Sequence, residues 1–224
     1  MEQRGKLIVI DGLDGAGKTT QADKLYDRLI AIGLPAARVK FPRYESFTGK
    51  TLKRYLLGEL GPAMEQSPYL VSLLFAADRW GAKDELKRLL ANGTTVILDR
   101  YISSNYCFQA ARMAPKERAA LRSWLDELEY EFFGLPRADS FIFLSITASL
   151  ADTLIAKRGG TREAYEKDRA FTQRVAKEYE QLCKTDPVAT KVDCSRKGEL
   201  LTIDEIHERI WKELQPIVTP TEAA

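Results

Sequence analysis

The sequence is poor in the residues from which most metal and nucleophile sites are built. It has one histidine, His207, so no paired-histidine metal motif exists and a Ser-His-Asp triad lacks support. Its three cysteines, Cys107, Cys183 and Cys194, form no CxxC pair. They suggest neither a zinc knuckle nor a disulfide framework, and they fit a reducing cytosol. Net charge is scarce too, since 34 basic against 32 acidic side chains leave +2. A chain so balanced is not an electrostatic nucleic-acid binder by default. The longest apolar run, residues 69–77, contains a serine and is far too short to span a bilayer. Asp11 arrives after four apolar residues, so no signal peptide is visible.

What is present is an ordinary globular composition, 45% apolar and 29% charged over 224 residues, enough to bury a real core. Runs rich in β-branched or aromatic residues occur at 7–10, 38–41, 95–98 and 140–146, with a weaker one at 189–193. The first, third and fourth are continuously apolar, as strands buried on both faces of a parallel sheet read. Helical patterns separate them, at 18–32, 68–91, 115–133, 163–183 and 203–214. The alternation predicts an α/β, doubly wound, five-stranded parallel sheet with helices on both faces. The linkers are short, so residues 1–218 read as one domain and 219–224 as a frayed tail. His207, among Glu205, Glu208 and Arg209, is expected on the surface.

The chemistry is carried by G-x-x-x-x-G-K-T at residues 12–19, between the first strand and the first helix, which is the context this phosphate-binding loop requires. Gly12, Gly15 and Gly17 let backbone N–H groups curl around an anion, and the helix N-terminus adds partial positive charge. Lys18, expected to face solvent, can bridge the β- and γ-phosphates of a nucleotide. Thr19 suits Mg²⁺, and Thr20 follows it. Asp14 is anomalous, because a carboxylate repels the ligand of a phosphate cradle. Asp99 ends the third strand, where a Mg²⁺-directed carboxylate sits in such sheets.

These residues resemble thymidylate (dTMP) kinases, in the nucleoside monophosphate kinase group of P-loop NTPases. The matching segments are GLDGAGKTT at 12–20, FPRY at 41–44, LFAADRW at 74–80, DRY at 99–101 and a lid-like RGGTREAYE at 158–166. The resemblance spans about residues 6–185 and loosely the last helix. It implies that ATP phosphorylates dTMP to dTDP with Mg²⁺, the metal held at Thr19 and Asp99. It implies dTMP contacts at Asp14 (to the 3′-hydroxyl), Arg43 (to the acceptor phosphate), Phe75 (stacked on thymine) and Arg79 (to thymine O4). Arg100, Asn105 (to the base edge at N3), Phe108 (against a ribose 2′ position) and Tyr165 complete that set. It further implies a lid around 156–168, a cytoplasmic homodimer through apolar helix faces such as 68–91, and no nucleic-acid or membrane partner.

Two departures from the family pattern stand out. Some members carry an arginine where this chain has Gly15, so the cation for the transferring phosphoryl group is expected from the lid, at Arg158 or Arg162, beside Lys18 and Arg100. Other members place the arginine of FPRY one residue later, where this chain has Tyr44. The alternatives are a deoxynucleoside kinase, another nucleoside monophosphate kinase, or a nucleotide-dependent switch. The first needs a carboxylate to activate a 5′-hydroxyl, where this chain has Arg43. The last predicts an Asn-Lys-x-Asp motif, which does not occur.

Overall fold

The computed structural model describes residues 4–159 and 163–219. Strands β1 (Leu7–Gly12), β2 (Ala36–Lys40), β3 (Thr95–Asp99), β4 (Ser140–Ser145) and β5 (Ala189–Asp193) form one parallel sheet in the order β2-β3-β1-β4-β5. Helices flank the sheet, as the alternating pattern predicts. The apolar runs occupy its centre: Leu7, Ile8, Ile10, Ile97, Leu98, Ile142 and Leu144 are fully buried. Each such side chain contributes about 1.5–3 kcal/mol by leaving water, so an Ile8→Ala change would cost about 2–5 kcal/mol.

The strand order reverses at β1, which lies between β3 and β4. A crevice therefore opens beyond the carboxyl ends of these strands. Parallel register sets Lys40 beside Asp99, and Asp99 beside Ile10, at that edge.

Helix α1 (Lys18–Ala31) follows β1, and α2 (Phe47–Leu56) follows β2. The 68–91 pattern is not one helix: α3 (Pro68–Trp80) stops at Gly81 and α4 (Lys83–Ala91) begins beyond it. The break is held by a residue distant in the chain. Arg43 Nη2 donates to Asp78 O at 2.7 Å and Nη1 to Gly81 O at 3.3 Å, satisfying carbonyls that a continuing helix would otherwise use. A Cβ at Gly81 would lie 2.6 Å from Arg43 Nη2.

Helix α5 (Ile102–Ala110) leads from β3 to α6 (Pro115–Asp126), which runs into a π-helical turn over Glu127–Phe132. Helix α7 (Ala148–Arg158) follows β4. The 163–183 pattern is divided as well. A 3₁₀ turn at Ala164–Lys167 precedes α8 (Arg169–Thr185), because Asp168 caps the new helix by accepting from Phe171 N at 3.0 Å. A small hairpin, β6 (Ser195–Arg196) and β7 (Glu199–Leu200), leads into α9 (Ile203–Val218), four residues longer than its amphipathic stripe predicts. Helices α5 and α7 and the hairpin carry too little periodicity to be read beforehand, whereas α2 is amphipathic, with Leu52, Tyr55 and Leu56 buried, and was passed over.

His207 corrects another expectation. It is 4% exposed on the inner face of α9, with Nδ1 unpartnered. Burial and the charges of Arg28 and Lys24 hold its imidazole below the ordinary range.

Candidate active site

A cavity of about 650 Å³ occupies the crevice, a size suited to small-molecule ligands. Its floor is the loop between β1 and α1. Gly17 caps α1 at φ 82°, and Gly15 has φ 80°. A Cβ on Gly15 would also meet Ala151 O at 3.0 Å and the Leu154 and Ile155 side chains at 3.3 Å. The packing of α7 against the loop thus gives a physical reason why no arginine occupies this position.

Lys18 does not face solvent. It is 7% exposed, and Nζ donates to Leu13 O at 2.7 Å. Burial and the nearby charge of Arg100 bring its ammonium down to about 8. Thr19 Oγ1 donates to Asp99 Oδ2 at 2.5 Å and accepts from Lys40 Nζ at 3.0 Å. Lys40 Nζ is also 3.5 Å from Asp99 Oδ2. Asp99 Oδ1 is buried with no hydrogen-bond partner among the described residues. A hydroxyl and a half-satisfied carboxylate fit a hard divalent cation. Among the described residues no three His, Cys, Asp or Glu side chains cluster to cage a metal; Mg²⁺ is ordinarily held by one or two such groups together with water and substrate phosphate.

Asp11, at 0% exposure, organises the next layer. Its carboxylate accepts from Gly12 N, Ser103 Oγ, Ser104 Oγ and Tyr179 OH at 2.7–2.8 Å. Arg100 Nη1 reaches it at 3.4 Å, donates to Ser104 Oγ at 2.8 Å, and Nη2 pairs with Asp14. Arg100 sits at φ 72°, a conformation that costs a non-glycine residue about 1–3 kcal/mol. The Asp11 and Asp14 carboxylates and the face of Phe108, 5.3 Å from its guanidinium carbon, hold it there. Asp14 is thus a partner of Arg100 and, at 3.9 Å, of Lys18, which accounts for an acid inside a phosphate loop.

Phe75, Arg79, Asn105, Phe108 and Tyr165 all line the cavity. Phe75 and Arg79, one turn apart on α3, face it together. Arg79 is 2% exposed and forms a two-point pair with Glu129, Nε to Oε2 at 2.5 Å and Nη2 to Oε1 at 2.6 Å. Asn105 Nδ2 donates to Ser72 O at 3.0 Å and Glu129 Oε1 at 3.2 Å, while its buried Oδ1 has no partner among the described residues. Tyr165 OH is bonded to Tyr55 OH at 2.7 Å and accepts from Gln109 Nε2 at 3.3 Å.

The structure does not bring Arg43 to this site. Its Nη1 and Nη2 hold the end of α3, its Nε lies 3.6 Å from Asp78 Oδ1, and it is absent from the cavity wall. The neighbouring Tyr44 faces the cavity instead, its hydroxyl donating to Glu163 Oε1 at 3.1 Å. Burial and the charge of Asp14 push the Glu163 carboxyl up. Sequence reasoning passed over Tyr44, Asp11, Lys40 and Glu163 as site residues. Of these, Lys40 carried a signal because it ends β2 as Asp99 ends β3, and Tyr44 because it stands where other family members place the arginine of FPRY. Also missed was an apolar wall of Leu200, Leu201, Ile203 and Ile206, tied to α1 by Gln21 Nε2 donating to Ile203 O at 2.9 Å. Arg162 lies outside the described residues, as does the side chain of Arg158.

The thymidylate kinase family model matches residues 10–208. The chain is 36% identical over 182 residues to the thymidylate kinase of Mycobacterium tuberculosis, covering 79% of this chain and 85% of that one. It is 35% identical over 209 residues to the thymidylate kinase of Homo sapiens, covering 93% and 89%. A solved structure of thymidylate kinase from Candida albicans superposes with a TM-score of 0.75 at 28% identity, over 95% of this chain and 92% of that one.

Proposed function

The chain belongs to the thymidylate kinase family, and from that premise we propose how its own residues carry the reaction. The reaction is ATP-dependent phosphorylation of dTMP to dTDP. The observation that carries the residue assignment is a single cavity joining the phosphate loop to the Phe75, Arg79 and Asn105 cluster. Triphosphate and nucleobase can therefore occupy one continuous space.

ATP phosphates lie on the backbone of Gly12, Gly15 and Gly17 and against Lys18, Thr19 and Thr20, with the adenine end toward Leu200 and Ile203. Thymine stacks on Phe75. Arg79 donates to its O4, and Asn105 Oδ1, a buried acceptor lacking a donor, takes its N3–H. Phe108 walls off the sugar, Asp14 takes the 3′-hydroxyl, and Tyr165 closes the sugar side. Arg100 and Tyr44 hold the acceptor phosphate, in place of Arg43. A phosphate monoester dianion is already nucleophilic, so no general base is required. The side chains align acceptor and γ-phosphate and stabilise charge on the group in transfer. Thr19 and Asp99 would hold Mg²⁺, which neutralises phosphate charge when bound. Arg158 and Arg162, in a lid around 156–168, supply the cation that Gly15 cannot.

We further propose a homodimer in which residues 1–218 act as one domain. Exposed Leu70, Leu73 and Trp80 on α3 support it, with Trp80 packed on Phe133 and Phe133 on an exposed Phe132. Among the described residues no helix is long and apolar enough to cross a membrane. We propose a cytoplasmic enzyme, and its near-zero net charge argues against nucleic acid as a partner. An ADP-release assay across the common nucleoside monophosphates tests the reading. dTMP should turn over fastest, and a clear preference for AMP, CMP or UMP would overturn the base-site assignment.

A further inference from the structure

Glu129 occupies a position that the helix pattern reserves for an apolar residue. Leu121, Leu125 and Glu129 follow one another at four-residue spacing, and all three are essentially inaccessible to solvent. The carboxylate lies in the π-helical turn Glu127–Phe132, a rare geometry that is frequent at functional sites. Burying a carboxylate is costly unless it is paired and hydrogen-bonded. Glu129 meets that condition through two side chains from two different helices. It accepts from Arg79 Nε and Nη2, on α3, and from Asn105 Nδ2, on α5.

We propose that Glu129 is the positioning residue that sets base specificity, by fixing which atoms Arg79 and Asn105 present to the cavity. This rests on the reading of the base end given above. Glu129 takes the Nε/Nη2 edge of the guanidinium and leaves Nη1, the nitrogen of Arg79 with no hydrogen bond among the described residues. An arginine nitrogen can only donate. Glu129 Oε1 and Ser72 O are both acceptors, so each demands the NH₂ of Asn105. The atom of Asn105 left over is Oδ1, which can only accept. The pair therefore offers one donor and one acceptor. Thymine presents the complement, a carbonyl at O4 and N–H at N3. A 4-amino pyrimidine presents the inverse at both positions and leaves two buried groups unpaired.

Stability alone gives little reason for the arrangement, since apolar replacements of a buried ion pair are often neutral. Glu129→Gln keeps the shape but can turn an NH₂ toward Asn105 and loosens the grip on Arg79. The amide of Asn105 is then oriented by the Ser72 carbonyl alone.

The test compares dTMP with 5-methyl-dCMP, which shares the methyl group and inverts the hydrogen-bonding edge. In Glu129→Gln the ratio of kcat/KM for the two nucleotides should fall about tenfold or more, with KM for dTMP raised and kcat within a few-fold. Glu129→Asp, which keeps the charge, should recover part of the ratio. A selective wild type with an equally selective Glu129→Gln overturns this inference alone, whatever happens to the melting temperature. A wild type indifferent to the two nucleotides overturns both the base-site reading and the inference. Should Glu129→Gln fail to fold, a structure of the wild type with dTMP decides. The inference expects Arg79 to reach the base while still paired to Glu129, and a separated pair overturns it.

Discussion

Thr19 Oγ1 donates to Asp99 Oδ2 across 2.5 Å, joining the first turn of α1 to the last residue of β3. Asp99 Oδ1 is left buried and unpartnered beside this bond. Asp99→Asn preserves volume and removes charge. It is expected to raise the Mg²⁺ concentration for half-maximal activity about tenfold or more, with an unchanged circular dichroism spectrum. An unaltered Mg²⁺ titration would remove Asp99 from the metal site.

Lys18 gives the enzyme a pH dependence whose sign follows from its burial. In the free protein its ammonium titrates at about 8 rather than 10.5. A bound triphosphate favours the charged form and so raises that value. Between the two, binding takes up a proton, and ATP affinity falls as pH rises above about 8. Calorimetric titration of ATP from pH 7 to 10 should show the break, and Lys18→Met should bind weakly with no break. A break that persists in Lys18→Met assigns the titration to another group.

Tyr44 and Arg43 are adjacent but do different work. Tyr44→Phe should raise KM for dTMP about ten- to hundredfold, the cost of a lost hydrogen bond to an anion. Arg43→Ala should chiefly lower the melting temperature, since it uncaps α3. Steady-state kinetics and thermal melts on both variants check this, and the reverse pattern would return Arg43 to the acceptor phosphate.

The neighbouring pair also shows where the sequence stops being legible. The phosphate loop and Asp99 could be read because their context is local: an apolar strand, a glycine turn and a helix, or an acid at a strand end. The buried strands were equally plain as continuous apolar runs. Which of Arg43 and Tyr44 turns inward depends instead on where α3 ends, and that is settled by Arg43 itself, some 35 residues away in the chain from Asp78. The same holds for Glu129, whose partners lie on other helices. His207 was readable in principle. It lies on the apolar side of α9 with Ile203, Ile210, Trp211 and Leu214, but its charged neighbours drew the assignment to the surface.

The lid arginines carry the transition-state prediction. Gly15 has no side chain, and a Cβ there would lie 3.0–3.3 Å from α7 on a backbone at φ 80°. An arginine serving charge on the group in transfer can be worth about 10³–10⁵ in rate. The Arg158→Ala and Arg162→Ala double variant should therefore lose kcat by that order with little change in dTMP KM, measured at saturating ATP and Mg²⁺. Retained kcat in the double variant leaves Arg100 as the sole arginine at the reacting phosphates.

The most direct test of the central claim is ³¹P NMR of the enzyme with ATP, Mg²⁺ and an equimolar mixture of dTMP and thymidine. The account predicts dTDP resonances growing in step with ADP, while thymidine is untouched. Phosphorylation of thymidine in preference to dTMP, or release of inorganic phosphate in place of dTDP, would contradict it.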